Sequence, residues 1–139
     1  MISKNQDLDL HKFNKIERID HNELSEIFKV EEQGTKNIYA AIISFIPINS
    51  HEEMVNFSHE INNNISINHP SVLKIIGYSP TNFENESKPV IITEILENGT
   101  LSNLIKAERK GCSDNKWNDT QKLITIYGIA TAMSFLHSH

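Results

Sequence analysis

Seven histidines and one cysteine are the side chains of this sequence best able to act as metal ligands or nucleophiles. Their spacing favours neither role. His137 and His139 are two residues apart and would not share a helix face, and no His or Cys cluster has zinc spacing. Cys112 lies near Lys110 and Lys116 in a predicted loop without a neighbouring base, so an inert thiol is expected. No nucleophile motif such as G-x-S-x-G occurs, and we expect neither a metal site nor independent hydrolase chemistry.

Composition limits the possible partners. The 139 residues fit one domain, with 38% hydrophobic and 22% charged content, and 18 acidic against 13 basic side chains give a formal net charge of -5. Without a Lys/Arg-rich run, neither nucleic acid nor a membrane surface is an expected partner. The sequence starts without an apolar signal region and has a single cysteine, which together favour a cytoplasmic protein.

Strand patterns come early in the chain. Residues 1–9 are mostly polar and are expected to form a frayed leader. The pattern then predicts two strands over residues 13–30 that meet around residues 20–22, a turn at residues 33–35, a central strand over 37–46, and two further strands at 72–76 and 90–93 separated by a polar loop. Pro47 ends the central strand.

Helix patterns come mostly later. Ser50 and Glu53 form a capping box that begins a helix through about Ile65, and its predicted buried stripe is Met54, Phe57, Ile61 and Ile65. A short helix is predicted over residues 101–109, a polar loop over 111–118 and a last helix from about residue 120 to the end. The last helix is apolar on more than one side and should require burial. Early strands followed by helices indicate an α+β fold.

Five segments in order resemble a eukaryotic-type protein kinase domain, and the tyrosine-kinase-like branch is the preferred assignment. They are Tyr39-Ala40-Ala41, Phe57 to Glu60 with His69-Pro70, Ile91 to Glu94, Glu97 to Leu101, and Trp117 to His137. The resemblance implies a five-stranded antiparallel sheet with one packed helix, followed by two helices of an incomplete large lobe. The implied domains are a leader at 1–11, a kinase-like small lobe at 12–96 and the start of the large lobe at 97–139.

The phosphate-binding parts of the family are replaced here. In the family a Gly-rich loop lets backbone amides approach the phosphates, but its three glycines correspond to Asp20, Asn22 and Ser25. The lysine of the third strand, which contacts the phosphates and pairs with a helix glutamate, corresponds to Ile42. The matching glutamate, Glu60, would therefore stay solvated, become protonated or find another cation such as Lys74 or Lys29.

Other positions of the resemblance lie on the helix and around the adenine ring. Asn64 stands where the family has an apolar residue that links the helix to the sheet. The apolar and backbone half of the adenine site survives, and the resemblance assigns it to Ile27, Ala40, Thr93, Glu94 and Leu96. Mg·ATP is the cofactor that the family implies, but with these replacements we expect no bound cofactor and weak nucleotide binding.

Two functions remain open from the sequence. The sequence ends at His139, before the family's catalytic loop and metal-binding aspartate, so the first expectation is a truncated, catalytically incompetent pseudokinase. It would be either a protein-interaction module, with its last helix as the contact surface, or a product with no selected role. The alternative is the N-terminal part of a longer kinase or pseudokinase, with the family's ATP-binding and serine/threonine/tyrosine phosphotransferase role. Because the last helix would expose apolar faces, removal of residues 100–139 is expected to improve solubility.

Overall fold

The computed structural model describes residues 7–96, 99–112 and 116–138, and the predicted leader up to residue 6, Glu97, Asn98, part of the 111–118 loop and His139 lie outside the described residues. The described residues form five strands and three α-helices. These elements are β1 (Phe13–His21), β2 (Ser25–Glu32), β3 (Ile38–Ser44), α1 (His51–Ile65), β4 (Ile75–Ser79), β5 (Val90–Glu94), α2 (Leu101–Arg109) and α3 (Asp119–His137), with a short 3-10 turn at Leu10–Lys12.

The five strands form one antiparallel sheet in the order β1-β2-β3-β5-β4. This architecture confirms the α+β fold expected from the sequence. Contacts divide the chain into two compact units: residues 1–68 with 73–95, and residues 69–72 with 96–139. The first unit holds the sheet and α1, and the second holds α2 and α3.

One face of the sheet carries the hydrophobic core. The residues buried together there are Leu10, Phe13, Val30, Ala41, Ile43, Val90 and Ile92. Ala41 lies opposite Ile92 in the β3–β5 register, and Ile43 lies opposite Val90. Side chains alternate between faces along a strand, so Ala40 and Ile42 belong to the second face. We call that second face the site face.

The segment before β1 contributes to this core. Leu10 is buried, Leu8 packs against the same cluster, and the Leu8 backbone N–H donates to the Tyr78 carbonyl at 2.7 Å. The interpretation of residues 1–9 as a frayed leader is therefore wrong for Leu8. Because these two leucines have polar neighbours on both sides, the composition of the segment did not predict their packing against the core.

Helix α1 begins at the predicted capping box. Ser50 Oγ accepts the Glu53 N–H at 3.1 Å, and Glu53 Oε2 accepts the Asn49 N–H at 2.8 Å. Ile61 is buried, while Met54, Phe57 and Ile65 are half-buried, as the predicted stripe requires. Phe57 packs edge-on against Tyr78 of β4 with 5.6 Å between ring centroids.

Strand β4 differs from its prediction. The apolar run at 72–76 predicted a strand, but β4 begins only at Ile75 and continues to Ser79. The Val72 N–H donates to the His69 carbonyl in a local turn, and the Lys74 N–H donates to the Glu94 carboxylate instead of to a backbone carbonyl of β5. A local turn and the Glu94 side chain therefore take the amides at the start of the predicted strand, and ladder pairing with β5 extends β4 past Gly77.

Strand β1 is an edge strand with two irregularities. Its register against β2 shifts between Lys15 and Glu17 and again between Arg18 and Asp20. The residues at these shifts are Ile16 and Ile19, which are exposed. Each shift is a bulge, an extra residue that twists the strand away from regular pairing.

Helices α2 and α3 begin at side-chain caps. Thr100 Oγ1 accepts the Asn103 N–H at 3.1 Å, and Asn118 Oδ1 accepts the Gln121 N–H at 2.9 Å. Both helices were predicted, and both are confirmed. None of the helices in the described ranges is long and apolar enough to cross a bilayer.

Within the second unit, α3 touches α2 and the 69–72 segment. Lys122 of α3 pairs with Glu108 of α2. The His69 ring lies 4.9 Å from the Phe135 ring, centroid to centroid. A Cβ added to Gly128 would lie 3.3 Å from Ser71 Oγ, so this glycine allows close approach of the two segments.

Candidate active site of the kinase fold

The site face brings together most of the residues that the resemblance assigned to adenine. Ile27 lies directly opposite Ile42 in the β2–β3 register, and Ala40 lies opposite Thr93 in the β3–β5 register. Directly opposed residues of an antiparallel pair have Cβ atoms about 4.5–5.5 Å apart. Ala40 and Thr93 are buried, whereas Ile27 and Ile42 are half-buried. Three of the five positions assigned to adenine therefore share one face of the sheet with Ile42.

Thr93 and Glu94 are fixed by hydrogen bonds at the end of β5. Thr93 Oγ1 donates to the Glu94 carbonyl at 3.0 Å. The Glu94 carboxylate accepts the Lys74 N–H at 3.0 Å, and the Glu94 N–H donates to the Lys74 carbonyl at 3.0 Å. Glu94 lies opposite Tyr39, so its side chain belongs to the core-face row and not to the site face. Leu96 is exposed and belongs to the second unit.

An aliphatic side chain, that of Ile42, stands at the family's lysine position. Ile42 lies between Ile27 on one side and Ile91 on the other, both isoleucines of the site face. The site face does carry a lysine, Lys29, but on β2 and opposite Ala40. An aliphatic chain at position 42 offers no charge to a phosphate or to a carboxylate.

Glu60 lies on α1 and is exposed. Among the ion pairs of the described residues none includes Glu60, so neither Lys74 nor Lys29 has replaced the missing partner. Asn64, one turn further along, is also exposed and does not link α1 to the sheet. Ile61, which lies between Glu60 and Asn64 in the sequence, is the buried residue among those described for α1.

The β1–β2 turn occupies the place of the Gly-rich loop, and its backbone amides bond within the turn. Asn22 Oδ1 accepts the Leu24 N–H at 2.8 Å and the Ser25 N–H at 2.9 Å. Asp20 Oδ1 accepts the His21 N–H at 2.8 Å, and the Asn22 N–H donates to the Ser25 carbonyl at 2.8 Å. Two side chains that replace glycines are thus acceptors for the turn's own backbone.

The sequence identified the replaced positions but not these hydrogen bonds. An Asx turn at Asn22 was readable in principle, because Asn side chains commonly accept amides two or three residues on. A separate cavity of about 300 Å³ lies between residues 7–11 and 79–85 and is lined by none of the predicted site residues. Within the described ranges no group of three His, Cys, Asp or Glu side chains is placed to hold a metal ion.

The sheet order, the single helix packed on it and the site face define the small lobe of a protein kinase, followed by the first helices of a large lobe. A model of the protein tyrosine and serine/threonine kinase family matches residues 12–139. The chain belongs to this family. The tyrosine-kinase-like branch stays a prediction.

Three relatives carry serine/threonine-kinase names. The chain is 29% identical over 135 residues, 94% of its length and 21% of the relative's, to probable serine/threonine-protein kinase samkB of Dictyostelium discoideum. It is 35% identical over 71 residues, 51% of its length and 11% of the relative's, to probable serine/threonine-protein kinase samkA of the same organism. It is 30% identical over 88 residues, 63% of its length and 8% of the relative's, to leucine-rich repeat receptor-like serine/threonine-protein kinase RGI4 of Arabidopsis thaliana. The chain thus spans about a fifth or less of these curated relatives.

Proposed function

We propose that this kinase fold works without phosphoryl transfer, as a pseudokinase that binds another protein. The observation that carries the proposal is the site face itself. Its lysine position is Ile42, enclosed in register by Ile27 and Ile91, and Glu60 on α1 is exposed without an ion pair among the described residues. Phosphoryl transfer depends on positive charge held against the phosphates, and this face offers none at that position.

Lys29 is the alternative cation on the same face. It lies on the neighbouring strand β2, opposite Ala40. Ala40 is two residues before Ile42 on the same face of β3, so Lys29 is a diagonal neighbour of Ile42. If Lys29 took over the phosphate contact, replacement of Lys29 by Met would abolish nucleotide binding. The proposal instead expects Lys29→Met to leave the nucleotide response unchanged.

Thermal unfolding with and without millimolar Mg·ATP tests nucleotide binding. Only binding to the folded state raises the midpoint. The expected result is no shift for the wild-type chain and none for Lys29→Met. A rise of several degrees in the wild type would contradict the proposal, and loss of that rise in Lys29→Met would identify the cation responsible.

The protein-binding half of the proposal is supported by α3. Its exposed large apolar side chains are Leu123, Ile124, Ile126, Tyr127, Ile129 and Met133. An apolar surface of this extent marks an interaction site or a surface covered by further protein. The partner surface is therefore expected to be apolar rather than charged.

A second function is favoured by the relatives. They are several times longer than this chain, and their names are those of serine/threonine kinases. We infer as the alternative that these residues are part of a longer kinase or pseudokinase, whose other segments cover α3. The intact mass of the protein from its own cells separates the two. A mass near 15.9 kDa supports a separate binding module, and a larger mass with peptides beyond His139 supports the longer protein.

A further inference from the structure

The β1–β2 turn and a Gly-rich loop differ in whether their backbone N–H groups are available to a ligand. A phosphate-binding loop leaves its backbone N–H groups without internal partners, so that they donate to phosphate oxygens. Here the N–H groups of Leu24 and Ser25 both donate to Asn22 Oδ1, at 2.8 and 2.9 Å. One carboxamide oxygen thus takes two adjacent amides at hydrogen-bond distance, as a phosphate oxygen would.

The turn holds this arrangement without backbone strain. Among described non-glycine residues only Lys36 and Asn85 have positive φ, so residues 20–25 all have conformations that side chains accept. The ladder between β2 and β3 continues past the strand ends, because the Phe45 N–H donates to the Leu24 carbonyl at 2.9 Å. The amides of Leu24 and Ser25 are therefore bonded within the turn, to Asn22, and the turn is also hydrogen-bonded to Phe45, which follows β3.

We propose that Asn22 is the residue that closes this turn to phosphate, with its Oδ1 atom standing where a phosphate oxygen would bind. The inference rests on the proposed function, in which phosphate is not bound, and goes beyond it by assigning a second, independent cause. Ile42 removes a positive charge, whereas Asn22 occupies neutral donors. Asp20 acts on the same turn in a smaller way, through the single N–H of His21.

Two variants of the 139-residue chain separate the acceptor oxygen from other effects. Asn22→Ala removes the oxygen, and Asn22→Asp keeps an acceptor at the same place. The probe is inorganic tripolyphosphate, which has no adenine and so reports on the turn without the rest of the site. The readouts are hydrogen exchange and chemical shifts of the Leu24 and Ser25 amides, measured by NMR.

In wild type and Asn22→Asp these amides are expected to exchange slowly and to keep their shifts when tripolyphosphate is added. In Asn22→Ala exchange should accelerate by up to about tenfold, since loss of a hydrogen bond worth roughly 1.4 kcal/mol gives that factor. The two amides should also shift on titration. A thermal melt checks that the alanine variant is folded, and Asn22→Gly, which also lacks the oxygen, repeats the test if it is not.

The outcomes distinguish this inference from the proposed function. If tripolyphosphate shifts these amides equally in wild type and Asn22→Ala, Asn22 does not close the turn and the inference is wrong. If neither chain responds and the amides exchange equally fast in both, the inference fails while the proposal based on Ile42 stands. If wild type is stabilised by Mg·ATP and its turn amides shift, both are wrong.

Discussion

Ile42 and Ile43 are neighbours in β3, but they face opposite sides of the sheet. Ile43 is 4% exposed and belongs to the core cluster, whereas Ile42 is half-buried on the site face. The same substitution at the two positions therefore measures the two environments directly. A charged side chain at the core position has no route to water, while a long stem at the half-buried position can carry its charge to the surface.

Ile42→Lys is expected to lower the free energy of unfolding by about 1 kcal/mol. The matched variant Ile43→Lys is expected to cost on the order of 3–5 kcal/mol or to prevent folding, because it leaves an unpaired charge in the core. Urea denaturation monitored by circular dichroism measures both. Equal costs would mean that the assignment of the two faces is incorrect.

Ile92→Ala tests the core itself. Ile92 is fully buried, so removal of its side chain should destabilise the fold by about 2–5 kcal/mol. The control is Ile19→Ala in β1, where the isoleucine is 46% exposed and the expected loss is below about 1 kcal/mol. The urea midpoints of the two variants give the comparison, and a larger loss at position 19 would contradict the described core.

The elements of the first unit depend on local caps and turns as well as on the sheet. Ser50 caps α1 with its hydroxyl on the Glu53 N–H. The loop between β4 and β5 is organised by Asn82, whose Oδ1 accepts the N–H groups of Glu84 at 3.0 Å and Glu86 at 2.9 Å. Both arrangements satisfy backbone amides that would otherwise depend on water.

Ser50→Ala should destabilise the fold by about 1 kcal/mol through loss of the cap. Ser58→Ala, in the middle of the same helix, is the control and should be neutral or slightly stabilising, since alanine is the better helix former. Thermal melts followed at 222 nm measure both changes. A greater loss at position 58 would argue against the cap.

The Glu86 carboxylate of the β4–β5 loop contacts the Asn82 amide and the Lys88 ammonium. The side-chain hydrogen bond from Asn82 and then the interactions with Lys88 lower the pKa of the Glu86 carboxyl below its ordinary value. A lowered pKa in the folded state contributes stability above the ordinary value of about 4.5, and this contribution disappears as pH falls through the lowered pKa.

Glu86→Gln should therefore give a shallower loss of stability with falling pH in that window than wild type. Urea denaturation at a series of acidic pH values measures the slope. Glu17→Gln is the matched control for the loss of one carboxylate, because Glu17 makes no ion pair among the described residues. An unchanged slope in Glu86→Gln would contradict the assignment.

The sequence predicted the helices and turns better than the hydrogen bonds between segments that are distant along the chain. The capping box, the turn at Gly34 and the helical spacing of α1 and α3 are local signals, and the structure confirms them. The start of β4 depends on the Glu94 carboxylate, twenty residues away along the chain, which no local pattern predicts. Residue identities indicated the altered phosphate loop, and an Asx turn at Asn22 could have been predicted from them, but which two amides Asn22 accepts depends on the folded turn.

At the scale of the whole molecule, apolar exposure is concentrated in the second unit. The largest exposed fractions among its apolar residues are those of Tyr127 at 73% and Leu123 at 68%. Only Ala132 of α3 is buried among the residues described for that helix. Among the described residues, the core cluster of the first unit is formed by β1, β2, β3 and β5 together with Leu10.

Removal of residues 100–139 should leave the sheet and α1 folded and raise the solubility of the chain, because it removes the apolar surface of α3. Sedimentation velocity and far-ultraviolet circular dichroism of the truncated and full chains provide the measurements. Ile126→Lys in the full chain is the matched point variant, and it should reduce any self-association without loss of helix content. Unfolding of the truncated chain would show that the helices are required for the first unit.

The bulged edge strand has a consequence for behaviour at high concentration. An exposed, regular edge offers a row of backbone groups on which a strand from another molecule can add, and such addition starts fibril growth. In β1 the register is interrupted at Ile16 and again at Ile19, and charged residues lie between. This edge is a poor template for intermolecular strands, so fibril growth should not begin by strand addition at β1.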